Sequence, residues 1–253
     1  WEKDELPAQL WQRVKRADAN GDGAITREED RAFRAKARDA GVPDNLRVLR
    51  DLDYVGAGNP RQTLDLYLPR EKSAKPRPLV VFIHGGGWRQ GSKEGGWRRL
   101  SDVLATGRYV GASIGYRLSD EAQWPAQIHD CKAAIRWLKA MATTHGYDAE
   151  RIAVWGTSAG GHLVTMLGVS GDVPELEGEL GSHRDEDSTV ACVINYFGPA
   201  NLLTMDDCPS RIEHSAATSP EGRLVGGALA DRSEVARSAS PVTHVSQGDA
   251  PIL

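Results

Sequence analysis

Arg151-Ile152-Ala153-Val154-Trp155-Gly156-Thr157-Ser158-Ala159-Gly160 is the stretch that decides the fold: an apolar run, a glycine-flanked serine, then a helical pattern from about Gly161. Strand, sharp turn and helix in that order put one serine at the apex. A G-x-S-x-G turn holds its serine in a strained backbone conformation, with the hydroxyl exposed at the end of the sheet. Gly156 and Gly160 let strand and helix close around it. A serine hydroxyl is a poor nucleophile until geometry and a base activate it. The turn supplies the geometry, so Ser158 is the candidate nucleophile. The plainer account is a tight turn whose serine caps the helix.

A second motif argues against the plainer account. Leu79-Val80-Val81-Phe82-Ile83 reads as a strand buried on both faces, and it leads straight into His84-Gly85-Gly86-Gly87-Trp88. Three consecutive glycines leave backbone N–H groups free to face a ligand with no Cβ in the way. Those donors, with the N–H of Ala159, suit the oxyanion of a tetrahedral acyl intermediate.

The pattern places strands near 47–56, 62–68, 79–84, 109–115, 151–156 and 190–197, and helices near 97–106, 125–145 and 159–169. This alternation predicts an α/β fold with a doubly wound, mostly parallel sheet and a ligand site at the carboxyl ends of its strands. Gly41-Val42-Pro43 reads as a helix stop. Residues 1–43 are therefore expected as a small helix-loop-helix and 44–253 as the α/β core. The acidic stretch 171–188 reads as a surface excursion, and 202–248 as a loosely helical insertion.

These motifs resemble the α/β-hydrolase serine esterases, nearest the hormone-sensitive-lipase-like and feruloyl-esterase-like branch that includes carbohydrate esterases. The likeness extends to Gln62-Thr63-Leu64-Asp65-Leu66-Tyr67-Leu68-Pro69, Gly115-Tyr116-Arg117-Leu118, Trp124-Pro125-Ala126-Gln127-Ile128-His129-Asp130 and Tyr196-Phe197-Gly198-Pro199. It implies hydrolysis of short-acyl or carbohydrate-linked carboxylic esters through an acyl-enzyme on Ser158. The oxyanion would settle on the N–H groups of Gly86, Gly87 and Ala159, and Trp88 and Tyr116 are expected at the substrate. No cofactor is implied for catalysis.

On this fold a triad runs in the order serine, acid, histidine. In the resembled family the acid follows the seventh strand and the histidine comes later still. Asp249-Ala250-Pro251-Ile252-Leu253 reads as the opening of that strand, which leaves the usual acid and base beyond Leu253. Asn201 stands where the family often has aspartate. His84 and His162 read as packing or loop-ordering residues, while His183, His214 and His244 lie in loops with no acid partner that spacing suggests. The alternative reading is a catalytically incomplete fragment, or a calcium-binding module whose other domain binds ligands without hydrolysing them. A sheet cut at its seventh strand also leaves an edge that invites pairing with a second copy.

Asp18-Ala19-Asn20-Gly21-Asp22-Gly23-Ala24-Ile25-Thr26-Arg27-Glu28-Glu29 fits the EF-hand calcium loop at every position. Calcium, a hard cation, takes oxygen: side chains of Asp18, Asn20, Asp22 and Glu29, with Ala24 and Thr26 adding donors directly or through water. Ile25 is expected to pack inward, Leu10, Trp11 and Val14 to share the inner face of the entering helix, and Phe33 and Ala37 that of the exiting one. With no second loop in the sequence, a structural staple is expected rather than a sensor.

A net charge of −4 over 253 residues gives no reason to expect nucleic acid or an anionic membrane as partner. The mixed charges of Arg27 to Arg38 read as a solvated helical face. No apolar run is long enough to span a bilayer. Cys131, Cys192 and Cys208 lack metal-ligand spacing, and buried free thiols are expected at the first two. An unpaired calcium loop suits millimolar calcium, so a secreted or periplasmic location is expected, acting on a small-molecule or carbohydrate ester.

Overall fold

The apolar runs assemble into one six-stranded sheet in the order β1-β2-β4-β3-β5-β6. The strands are β1 (Leu46–Asp53), β2 (Thr63–Pro69), β3 (Arg77–Ile83), β4 (Val110–Ile114), β5 (Tyr147–Thr157) and β6 (Cys192–Tyr196). Pairing is antiparallel for β1 with β2 and β2 with β4, and parallel from β4 through β3 and β5 to β6. This is the α/β-hydrolase arrangement that the sequence predicts. The computed structural model describes residues 2–30, 32–33 and 40–253, in two compact units, Trp1–Asp44 and Asn45–Leu253.

Every residue of β3 from Leu79 to Ile83 is buried, which requires cover on both faces. On one face α2 (Gly96–Ala105) packs so closely that a Cβ on Gly111 would meet Leu104, and one on Gly96 would meet Ser113. The other face joins Leu79, Val81 and Ile83 to Ile128, Ile135 and Leu138 of α3 (Ala126–His145) and Leu163 of α4 (Ala159–Val169). No described helix is long and apolar enough to cross a membrane.

The stretch 171–188 runs over the surface, as expected, and is anchored there. Its short helix α5 (Pro174–Glu177) ends on Glu177, whose carboxylate meets Lys132 Nζ (3.0 Å), Arg136 Nη1 and Ser188 Oγ (2.7 Å). Asp187 accepts from Lys139 Nζ at 2.5 Å. Burial pushes the Asp187 carboxyl up, but Lys139 and Thr189 outweigh that and bring it down to about 2. Asp249–Leu253 opens a further strand beside β6, as expected: Val193 N–H donates to Pro251 O and Asn195 N–H to Leu253 O, both at 2.9 Å. The expected burial of Cys192 is corrected: of the cysteines only Cys131 is buried, Cys192 is half-buried on β6, and Cys208 is exposed.

In the small unit, α1 (Ala8–Val14) leads through a 3-10 turn into the Asp18–Glu29 loop. Trp11, Ala17 and Ile25 form its core, with Leu6, Val14 and Phe33 packed against them. Leu10 is 42% exposed, because Trp11 and Val14 already define the inner face and Leu10 turns outward. Ala37 and most of the charged stretch toward Arg38 lie outside the described residues.

The insertion carries α6 (Pro220–Val225) and α7 (Ser233–Ser238), linked by turns. Ser219 starts α6 as a side-chain cap, accepting from Gly222 N at 2.8 Å. A Cβ on Gly87 would lie 3.2 Å from Pro220, so α6 sits against the glycine run.

Candidate active site

Ser158 follows the last residue of β5 and precedes α4, with φ 54° and ψ −122°. Few L-residues hold a positive φ, and such strain persists only where neighbours over-determine it. Here they do. Ser158 N–H donates to Tyr196 O at 2.9 Å, and Ser158 O accepts from His162 N at 2.9 Å. A Cβ on Gly156 would lie 2.2 Å from Gly160 O, and one on Gly160 would lie 2.1 Å from Ile83 O. Both positions admit only glycine. The side chain of Ser158 stands exposed rather than capping α4.

The glycine run lies beside it. A Cβ on Gly85 would be 2.5 Å from Thr157 O and 3.4 Å from Ser158 Cβ. Gly86 and Gly87 have φ 119° and 59°, which turns the chain sharply back. Among the described residues the N–H groups of Gly86, Gly87 and Ala159 donate to no other group. Serine and glycine run thus meet in one open cleft of about 610 Å³, lined by Phe82, His84, Gly85, Gly86, Thr157 and Ser158 on the sheet side and by Gly95, Arg98 and Arg99 on the other.

Trp88 and Tyr116 do not contact that cleft, and the expectation that they bind substrate is corrected. Both are at most 1% exposed, and their polar atoms hold the glycine run from beneath. Tyr116 OH donates to His84 O at 2.9 Å, and its ring stacks on His84 with centroids 4.3 Å apart. Trp88 Nε1 donates to His162 Nδ1 at 3.2 Å, while His162 Nε2 donates to Ala239 O at 2.6 Å. These partners fix His162 as the neutral Nε2–H tautomer. Burial lowers the pKa of His162 to about 4, against the opposing bond to Ala239. Burial lowers that of His84 to about 4 as well, against its bond to Gly85 O.

Sequence reasoning gave no role to the support beneath this run. Ser119 N–H donates to Trp88 O at 2.8 Å. Asp130, fully buried, accepts from Arg117 N (2.8 Å), from the Arg117 guanidinium and from Gln62 Nε2 (2.7 Å), which fixes the 115–119 segment. A buried carboxylate with this many donors is a rigid post. The signal was present as an aspartate one helical turn from Ala126, Ala133 and Ala134.

None of the described histidines bonds Ser158 Oγ. His214 has an acid neighbour after all: its Nδ1 is 3.0 Å from Glu221 Oε2, although the angles fall outside hydrogen-bond geometry. Asn201 caps the 3-10 turn at Leu202–Asp207 by accepting from Leu203 N.

In the small unit the acidic side chains turn inward. Asp18 accepts from Gly21 N (2.7 Å) and Gly23 N (3.0 Å), Asp22 from Ala24 N (2.8 Å), and Glu29 from Ala19 N (3.1 Å) and Thr26 N (2.9 Å). Lys3 N–H donates to Gly23 O at 2.8 Å, and Glu2 bridges Ala24. Among the described residues no three His, Cys, Asp or Glu side chains converge as a closed metal cage. The donors are nonetheless oxygens, as a hard cation requires.

Comparison with known proteins agrees with the fold. The BD-FAE family matches residues 64–253. Esterase LipC of Mycobacterium tuberculosis is 34% identical over 197 residues, covering 77% of this chain and 47% of that protein. The probable carboxylic ester hydrolase LipM of the same organism is 29% identical, covering 84% of this chain and 50% of that one. The chain therefore spans about half the length of these curated relatives. Among solved structures, a truncated form of a carbohydrate esterase from gut microbiota superposes with TM-score 0.76 at 29% identity, covering 83% of this chain and 77% of that one. A bifunctional GH43-CE protein of Bacteroides eggerthii gives TM-score 0.75 at 31% identity, covering 81% of this chain and 27% of that one. With an exposed serine at a strained turn, a glycine run against it and a match from residue 64 to residue 253, the chain belongs to the BD-FAE family of α/β-hydrolase esterases.

Proposed function

We propose that the protein hydrolyses carboxylic esters, with Ser158 as nucleophile and the N–H groups of Gly86, Gly87 and Ala159 holding the oxyanion. The observation that carries this is the exposed Ser158 hydroxyl at φ 54° beside a glycine run whose N–H groups have no other partner among the described residues. Attack by Ser158 Oγ on the carbonyl carbon forms a tetrahedral adduct whose negative oxygen those amides stabilise. Collapse expels the alcohol and leaves an acyl-serine, which water then cleaves. The hydroxyl proton needs a base, for which the described residues place no histidine at Ser158. Esterases among the relatives and a carbohydrate esterase among the structural neighbours support short-acyl or sugar-linked esters as substrates. Replacing Ser158 by alanine is expected to abolish turnover of 4-nitrophenyl acetate, with melting temperature nearly unchanged. Turnover that survives the substitution refutes the assignment.

We also propose that the Asp18–Glu29 loop binds calcium as a structural staple. Asp18, Asn20, Asp22 and Glu29 supply side-chain oxygens, Ala24 and Thr26 supply the rest, and the positive φ of Gly23, 82°, permits the bend. Single loops of modest affinity suit the calcium concentration outside the cell, which favours a secreted or periplasmic setting. Millimolar calcium is expected to raise the melting temperature of the wild type and to leave that of Glu29→Gln where it was. Equal shifts in both, or none in either, argue against the staple.

A further inference from the structure

We propose that the ester received at Ser158 carries a carboxylate, and that Arg98 and Arg99 recognise it. The proposal rests on the hydrolase reading only in taking this cleft as the substrate's.

Charge is the argument. Arg98 and Arg99 lie exposed on α2 and line the same cleft as Ser158 and the glycine run. No aspartate or glutamate lines it, and the third ionisable lining group, His84, is kept neutral by burial. Asp102, four residues on from Arg98 and three from Arg99 on the same helix, pairs with neither among the described residues and does not line the cleft, while Glu94 is drawn to Lys93 Nζ at 3.4 Å, and Lys93 in turn bonds Asp65 at 2.9 Å. Neither arginine forms an ion pair among the described residues, whereas Arg50, Arg117, Arg136 and Arg151 all do. A chain of net charge −4 thus presents two unspent cations and no anion at its reacting group.

Such a cleft selects by sign. A cleft lined with one sign of charge focuses its field on a small solute of the opposite sign. A guanidinium offers a planar fork that matches a carboxylate with two parallel bonds. The ligand chemistry is an ester bearing a free carboxylate, on the acyl side as in a half-ester of a diacid, or on the alcohol side as in an ester of an acidic sugar or hydroxy acid.

Binding tests this without turnover. The Ser158→Ala protein is titrated calorimetrically with monomethyl succinate against dimethyl succinate, and with 4-acetoxybenzoate against its methyl ester. At low salt the charged member of at least one pair is expected to bind about tenfold more tightly, as two Arg–carboxylate contacts at a surface allow. Half-molar salt should erase most of that preference, and Arg98→Gln with Arg99→Gln should abolish it. The pair that responds identifies the side of the ester that carries the charge. Equal binding within both pairs, a preference that ignores salt, one that survives the double substitution, or no binding at all overturns the proposal. Failure of the hydrolase reading would show elsewhere, as ester turnover indifferent to Ser158.

Discussion

Gly160 has no room for a methyl group, since a Cβ there would lie 2.1 Å from Ile83 O and 2.7 Å from His84 O. Those are backbone atoms at the end of β3, so relief requires moving the strand that carries the glycine run. Gly160→Ala is therefore expected to destabilise the fold by about 3 kcal/mol, read from urea denaturation, and to impair turnover in whatever remains folded. At this scale the sequence was legible where local covalent geometry dictates the answer. A serine between two glycines has few ways to sit between strand and helix, and Ser158 adopts the strained one. Trp88 and Tyr116 were misread because an aromatic beside a glycine run looks alike whether its ring faces ligand or core. Only the packing of α3, α4 and the insertion decides which.

Among the elements, α3 does more than cover the sheet. Lys132, Arg136 and Lys139 recur at helical spacing and are almost wholly buried, each with an acidic partner from the 171–188 segment. Long basic side chains enter an interior only when their heads are paired. Glu177 serves two of them; burial pushes its carboxyl up, but Ser188 and Lys132, together with Arg136, outweigh that and lower it. Glu177→Gln removes the charge that both cations face and is expected to cost on the order of 3 kcal/mol, measured by urea denaturation at neutral pH. A loss within experimental error would mean that the two cations find other partners. The sequence disclosed α3 through its apolar period and missed this clamp, because paired acids and solvated acids read alike in one dimension. The strands fared better: β3 matched its expected span closely, since a fully apolar run has no competing reading, whereas β5 starts at Tyr147, four residues before the expected 151, because its polar opening carries no apolar signal.

For the molecule as a whole, acid is the informative perturbation. His84 and His162 are buried and neutral, with pKa values lowered to about 4, whereas an unfolded chain protonates histidine near pH 6.5. Between those limits the unfolded state binds the extra protons, so the stability is complete above roughly pH 6.5 and drains away as the pH falls toward 4. Melting temperature is expected to drop across that window, and His162→Gln should flatten the decline. A curve equally steep in that variant would assign the loss to carboxylates instead. The two-unit organisation was visible in the sequence because the Asp- and Gly-rich 18–29 loop and a helix stop are both local signals. The route of the insertion was not, since it depends on contacts between residues far apart in sequence.

The link from Trp88 through the His162 ring to the carbonyl of Ala239 ties the glycine run to the far end of the insertion. Anyone reshaping that insertion is also holding one end of the support beneath the glycine run. Libraries that vary 203–235 leave this tether intact, whereas transplanting the whole stretch from a relative severs it unless the incoming backbone returns an acceptor to the imidazole.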